Sequence, residues 1–304
     1  MKTSTFKAAY LELPVIDLEQ RVNAAMEALA ECRLCPRDCG VDRLAGRIGS
    51  CRAGALATVV STAAHFGEER PLVGSGGSGT IFFSGCALRC VFCQNHDISQ
   101  RPTGRAVTTE ILAGMMIDLQ DSGCHNINLV TPTHFVPQIL RALVIARGLG
   151  LTLPLVYNSS GFETVKTLRI LDGIVDIYMP DFKYTCADVA GRWSRASSYP
   201  EAANAAILEM HRQVGDLAID NRGLATRGLL VRHLVLPGDL AGTGEFLDWL
   251  AANVSKNTYL NLMDQYRPEH KAAGYPPLDR RLRMEEWRQA VARARAAGLA
   301  RLDK

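Results

Sequence analysis

Thr80-Ile81-Phe82-Phe83-Ser84-Gly85-Cys86-Ala87-Leu88-Arg89-Cys90-Val91-Phe92-Cys93-Gln94-Asn95 is the stretch from which the rest of the chain is read. The run Thr80–Phe83 has the length and the β-branched and aromatic content of a buried strand. It breaks at Ser84-Gly85 into a loop carrying Cys86, Cys90 and Cys93. Downstream, similar apolar runs predict strands at Asn126–Val130, Leu153–Tyr157, Ile174–Met179, Leu229–Leu236 and Tyr259–Met263. Segments of helical period separate them at Thr108–Asp121, Phe135–Leu149, Phe162–Leu171, Tyr199–Val214 and Glu245–Asn253, with a last helix over Leu282–Ala297. Strands alternating with helices imply βαβ units and a parallel sheet. With no Rossmann glycine fingerprint, the expected fold class is α/β, a partial (β/α)6 TIM-like barrel with its chemistry at the C-terminal strand ends. Those ends are polar or special throughout: Cys86 onward, Thr131-Pro132-Thr133-His134, Asn158-Ser159-Ser160-Gly161, Asp181-Phe182-Lys183, Pro237-Gly238 and Asp264-Gln265-Tyr266-Arg267.

Working outward gives three regions. Residues 1–66 read as an arm with a helix near Asp17–Glu31, followed by a small cysteine-rich metal lobe. Residues 67–270 form the barrel and 271–304 a helical extension. The glycine-rich run between Gly67 and Gly79 reads as a flexible connector. Of 304 residues, 47% are hydrophobic and 21% charged, which suits a globular domain and excludes disorder, collagen-like repeats and coiled coil. No apolar run approaches the ~18 residues of a membrane span. The start, Met1 to Lys7, has no apolar core of a secretory signal, so a cytoplasmic location is expected. The net charge is only +3, and the Arg-rich stretch from Asp279 to Arg301 reads as a solvated helix face. Neither a membrane nor a nucleic acid is an expected partner.

Seven of the nine cysteines lie between Cys32 and Cys93. An odd total without a signal segment argues against a disulfide scaffold and for metal chemistry. Three thiolates at spacing C-x3-C-x2-C can hold three irons of a [4Fe–4S] cluster and leave one iron open. A zinc site on this loop needs a fourth ligand, for which His96 is the available residue. In the lobe, Cys32, Cys35, Cys39 and Cys51 are enough to close a tetrahedral zinc site or an auxiliary Fe–S cluster. Cys124 and Cys186 have no partners in sequence and are expected to be buried structural thiols.

The loop resembles the cluster loop of radical S-adenosylmethionine (SAM) enzymes, whose C-x3-C-x-aromatic-C signature is matched by Cys86, Cys90, Phe92 and Cys93. Phe82-Phe83-x-Gly85-Cys86, Arg89 and Cys93-x-Asn95 are similar to the activating enzymes of glycyl-radical proteins, the pyruvate formate-lyase activase group. The resemblance implies a partial barrel of radical SAM type. Its cluster, on Cys86, Cys90 and Cys93, cleaves SAM reductively to methionine and a 5′-deoxyadenosyl radical that takes hydrogen from a substrate. Along the strand ends it implies SAM contacts from Phe92, Asn95, Thr131, Thr133, Asn158, Ser160, Asp181, Lys183 and Arg232, with His134 either a contact or a structural histidine. Asp181 and Lys183 match a Met-x-Asp-x-Lys element, and Arg232 to Gly238 resembles Arg-x-x-Val-Val-Pro-Gly. Three places depart from the group. Thr131–His134 stands for a Gly-Gly-Glu element, Asn158–Gly161 for Asp-Thr-Asn-Gly, and Gly74–Gly79 for Asp-Gly-Pro-Gly. These departures and the lobe mark a divergent branch. The implied partners are SAM, an electron donor such as flavodoxin or ferredoxin, and a protein substrate whose glycine is activated. The other readings are radical modification of a peptide, RNA or small metabolite, and a non-catalytic Fe–S electron carrier or zinc scaffold.

Overall fold

The computed structural model describes residues 6–101 and 103–303. Each predicted apolar run lies in a strand, with ends shifted by a few residues. The strands are β1 (Ala57–His65), β2 (Ser78–Phe83), β3 (Arg105–Val107), β4 (Ile127–Val130), β5 (Leu155–Ser159), β6 (Ile177–Pro180), β7 (Ala218–Ile219), β8 (Ala225–Leu234) and β9 (Tyr259–Met263). They form one mixed sheet in the order β3-β1-β2-β4-β5-β6-β8-β7, with β9 also paired to β8, on the edge away from β6. Neighbours from β2 through β4, β5, β6 and β8 to β9 pair in parallel and in chain order. That run is the α/β core of the fold, and it places all its C-terminal ends on one edge.

Sequence periodicity missed β1, β3 and β7. β1 lies within the arm-and-lobe segment and pairs antiparallel with both β2 and β3. Its outer half is solvent-exposed and rich in Ser, Thr and Ala, so it carries no continuous apolar run. β3 and β7 are too short for any period to register.

Both faces of the parallel strands are buried, as βαβ crossovers require. Leu155, Tyr157, Tyr178, Leu229 and Val231 pack toward the helices in the main core. Their neighbours Val156, Ile177, Met179 and Leu230 fill the opposite face together with Leu72. Leu72 comes from the run expected to be a flexible connector, and here that expectation is corrected. Arg70–Val73 is a short helix, and β2 already begins at Ser78. Asn126 fixes both pieces: its Nδ2 donates to the Leu72 carbonyl at 2.8 Å, and its Oδ1 accepts from Ser78 Oγ at 2.7 Å. Two buried polar anchors of this kind leave the segment no freedom to act as a linker.

The arm is tied down by buried polar contacts. Asp176 accepts the Ala9 and Leu155 N–H groups at 2.8 and 3.0 Å. Burial pushes its carboxyl up to about 6. The C-terminal helix, Met284–Ala296, packs on the helix Thr243–Asn253. Its guanidiniums meet acids, Arg293 with Asp248 and the preceding Arg280 with Glu286, as expected for a solvated face.

Candidate active site

The turn after β2 has to bring three thiols past the cysteine lobe, and Gly85 makes that possible. Its φ is +85°, and a Cβ there would stand 2.3 Å from the Cys51 carbonyl oxygen. Only glycine meets both demands. The loop is then laced to the fold by its own backbone. Arg89 and Val91 donate to the Ser194 and Trp193 carbonyls at 3.1 and 2.9 Å, and Val91 accepts from Lys271 at 2.8 Å. Gln100 Nε2 donates to the Cys90 carbonyl at 2.9 Å.

Cys86, Cys90 and Cys93 line one cavity of about 150 Å³ at the C-terminal edge of the sheet. Asn95, Thr131, Asn158, Ser160, Asp181, Lys183 and Arg232 line the same cavity. Ser194 Oγ donates to Cys90 Sγ at 2.9 Å, Ser99 Oγ lies 3.2 Å from Cys93 Sγ, and Leu88 N–H donates to Cys86 Sγ at 3.3 Å. Such donors stabilise thiolate. Burial opposes them: it pushes the Cys86 thiol up to about 12, and it raises Cys90 against the pull of Lys183. Against that burial, coordination by a metal is what would draw these thiols into the thiolate form. Three converging thiols with no fourth suit a cluster that keeps one iron open. Among the described residues, no three His, Cys, Asp or Glu side chains are already drawn into a metal-ligand set.

The rest of the cavity wall is an ion network built from three strand ends. Lys183 Nζ donates to Asp181 Oδ2 at 2.7 Å, and Arg232 Nε to Asp181 Oδ1 at 2.9 Å. Arg232 Nη2 reaches Asn158 Oδ1 at 2.8 Å, and its Nη1 lies 3.7 Å from Glu68 Oε2. Burial alone would push the Asp181 carboxyl up, but Arg232 and Lys183 outweigh it and hold Asp181 below the usual carboxylate range. For Lys183, burial pulls down, yet the charges of Asp181 and Cys90 leave it raised. Arg232 and His233 adjoin in sequence and face opposite ways. Arg232 enters the cavity, while His233 is sealed between the Phe182 carbonyl and Thr243 Oγ1 at 2.8 and 2.9 Å. Burial lowers its imidazole to about 4, so it is neutral.

Two backbone features hold the strand ends at this wall. Thr131 sits at φ +60°, a conformation a β-branched residue adopts only under constraint. Its N–H donates to the Asn158 carbonyl at 2.8 Å. Gly161 has φ +74°, and a Cβ there would lie 2.3 Å from the Asp181 carbonyl. Close by, the Tyr199 hydroxyl lies 2.8 and 2.9 Å from the Ser160 and Asp181 carbonyls and accepts the Lys183 N–H at 3.0 Å.

Two residues named from the sequence stand outside the cavity. Phe92 is buried edge-on against Tyr184 and Tyr266, with centroids 6.3 and 5.9 Å away. Thr133 donates to the buried Glu163 Oε1 at 2.5 Å. His96 does not join the loop cysteines, because it stacks on His270 at 4.5 Å. Cys124 is buried as expected, but Cys186 is exposed, since it precedes the helix Ala187–Ser194 at the surface. Sequence reading missed Glu68, Glu163, Ser194 and Tyr199. Glu163 follows Gly161-Phe162 and is buried outside the thiol cavity, its oxygens held by the Thr133 and Tyr157 hydroxyls. Burial pushes it up to about 7 while Thr133, Tyr157 and Ser159 hydrogen-bond to it. The one available signal was an acid two residues past the polar strand end Asn158–Gly161.

In the lobe, Cys32, Cys35, Cys39 and Cys51 line a single small cavity with Arg43 and His134. Arg43 is buried, donates to the Gly54 and His134 carbonyls, and lies 3.8 Å from Cys32 Sγ. His134 Nε2 meets the Ser84 carbonyl at 2.8 Å, and its buried Nδ1 has no partner among the described residues. Arg37 donates to the Ala87 carbonyl at 2.7 Å and Arg89 to that of Ser50, so the lobe rests directly on the cluster loop.

Comparison with known proteins agrees with this geometry. Residues 80–239 match the Radical SAM superfamily. The chain is 33% identical over 292 residues to the uncharacterized protein MJ0674 of Methanocaldococcus jannaschii, covering 93% of this chain and 79% of that one. A solved structure of TYW1 with a lysine-pyruvate adduct bound aligns with 71% of this chain and 73% of its own at 10% identity and a TM-score of 0.43. With more than half its length matched and the three-cysteine loop inside the match, the chain belongs to the radical SAM superfamily.

Proposed function

We propose that this radical SAM enzyme holds a [4Fe–4S] cluster on Cys86, Cys90 and Cys93 and binds SAM against the strand-end wall of the same cavity. The convergence of the three thiols with Asn158, Asp181, Lys183 and Arg232 on one cavity carries this reading. When bound, the reduced cluster and SAM together supply a 5′-deoxyadenosyl radical for hydrogen abstraction. The protein's part is binding, orientation and exclusion of water. Lys183 and Arg232 offer cationic donors to the SAM carboxylate. Asn95, Thr131, Asn158 and Ser160 offer neutral donors and acceptors to its amino and ribose groups. Asp181 fixes both cations at the wall. The six parallel strands fit the partial (β/α)6 barrel of this class, and a cytoplasmic location suits the unpaired thiols.

The substrate proposed first is a glycine of a partner protein, on the likeness of the loop to glycyl-radical activases, with a flavodoxin- or ferredoxin-type donor. For the lobe we propose one zinc ion on Cys32, Cys35, Cys39 and Cys51. The cavity those cysteines share, of about 10 Å³, has room on the order of a single water, which suits one ion better than a four-iron cluster.

The test is anaerobic. The protein is reconstituted with iron and sulfide, reduced with dithionite and given SAM, and 5′-deoxyadenosine is quantified beside Cys90→Ala. Product from the intact protein alone supports the reading. A fully loaded cluster whose spectrum ignores SAM overturns it in favour of an electron carrier. Metal analysis of the same protein is expected to find zinc that Cys35→Ser loses.

A further inference from the structure

Gln100 lines the thiol cavity and also a second, larger one of about 380 Å³. The second cavity is walled by Arg52, Arg89, Arg101, Arg192, Arg195 and Lys271, and no Asp or Glu lines it. Among the described residues none of these six cations is in an ion pair. The six come from separate parts of the chain: the lobe, the cluster loop and the residues after it, the end of the helix Ala187–Ser194, and the segment after β9. The tertiary fold has therefore collected like charge at one concavity, against its own repulsion.

Backbone strain coincides with the charge. Arg52, Arg195 and His270 line this cavity at φ +64°, +53° and +53°. Among the described residues only three other non-glycine residues have positive φ. Strain and unneutralised charge held together at one place are costs that a bound ligand offsets. Guanidinium forks without carboxylates match the tetrahedral oxygens of a phosphate. The surface is a concavity rather than a flat face, which suits a small molecule better than a protein.

We propose that this cavity binds a small phosphate-bearing molecule, held through its oxyanion by Arg52, Arg101, Arg192, Arg195 and Lys271. Arg89 spends its donors on the Cys86, Leu88 and Ser50 carbonyls and serves the loop. The assignment does not depend on the radical chemistry proposed above.

The experiment is calorimetric titration of the anaerobically reconstituted protein with inorganic pyrophosphate at two ionic strengths. The expected result is binding that weakens with salt and falls by about 10- to 100-fold in Arg192→Gln/Arg195→Gln, the loss for two solvent-accessible hydrogen bonds of ordinary net strength. Iron content and thermal unfolding of that variant should match the parent. If it does not fold, Lys271→Gln, on a different segment, is expected to weaken binding by about 3-fold or more. A control, Arg222→Gln/Arg293→Gln, removes equal charge elsewhere and should bind as the parent does. Three results overturn the proposal: no binding at millimolar pyrophosphate, equal weakening in the control, or capture of an acidic redox protein by this face without pyrophosphate binding.

Discussion

Arg232→Met tests the strand-end network where it is most exacting. The substitution keeps most of the side-chain volume but removes the donors to Asp181 at 2.9 Å and to Asn158 at 2.8 Å, and the cation 3.7 Å from Glu68. Asp181 and Glu68 are then left with less compensation in a site where the Arg232 side chain is 18% exposed and those of its two acid partners 17% and 8%. Breaking a buried pair by removing one partner costs about 3–5 kcal/mol. Unfolding entropies of about 2.1 cal/mol/K per residue convert this, for a chain of this length, to a fall in Tm of about 5–8 °C. The pH dependence adds a signature. The folded carboxyl of Asp181 is depressed, so its contribution is present above the unfolded value of about 3.9 and is lost as pH falls through the lower folded value. In Arg232→Met burial dominates and the Asp181 carboxyl rises, so part of the lost stability should return on acidification toward pH 5. The assay is calorimetric or circular-dichroism unfolding of anaerobically reconstituted protein between pH 5 and 8. A fall in Tm below about 2 °C at pH 7.5, with no change in pH dependence, would refute the reasoning, because it would mean that solvent already screens the network.

Glu163→Gln is expected to change the pH profile of stability in the opposite sense. The folded carboxyl is raised to about 7, so its contribution is fully present below the unfolded value of about 4.3 and is lost as pH rises through 7. Denaturant titrations of the parent should therefore lose on the order of 3 kcal/mol between pH 4.5 and 8 relative to the variant; parallel profiles would sink the assignment. Gly85→Ala places a Cβ against the Cys51 carbonyl at a positive φ, so iron loading after reconstitution should drop steeply while far-ultraviolet dichroism is retained. Full loading of that variant would show that the lobe and the loop are not held this close.

The parallel core was legible in the sequence because both faces of its strands are buried. Burial on both faces turns each strand into an apolar run that needs no knowledge of its neighbours. The Cys86–Cys93 loop was legible for a similar reason: its three thiols are close in sequence. Asp181, Lys183, Asn158 and Arg232 could be nominated individually from their places at strand ends. Their mutual arrangement could not be read, since Arg232 lies 51 residues from Asp181 and 74 from Asn158 along the chain. Thr133 and Phe92 lie outside the thiol cavity, and motif position could not show this, since it says which loop a residue is on but not which way its side chain turns.

The alternation of strands and helices, the three-thiol loop and the polar strand ends could all be read along the chain. These are properties of short segments, set by local spacing and hydrophobic pattern. Packing in three dimensions was needed to set β1 between β2 and β3, to plug the inner face with Leu72 and to rest the cysteine lobe on the cluster loop. It also decided that six unpaired cations share one cavity. Each of these depends on contacts between segments far apart in the chain, where packing and electrostatics act through space and leave no periodic trace in the sequence.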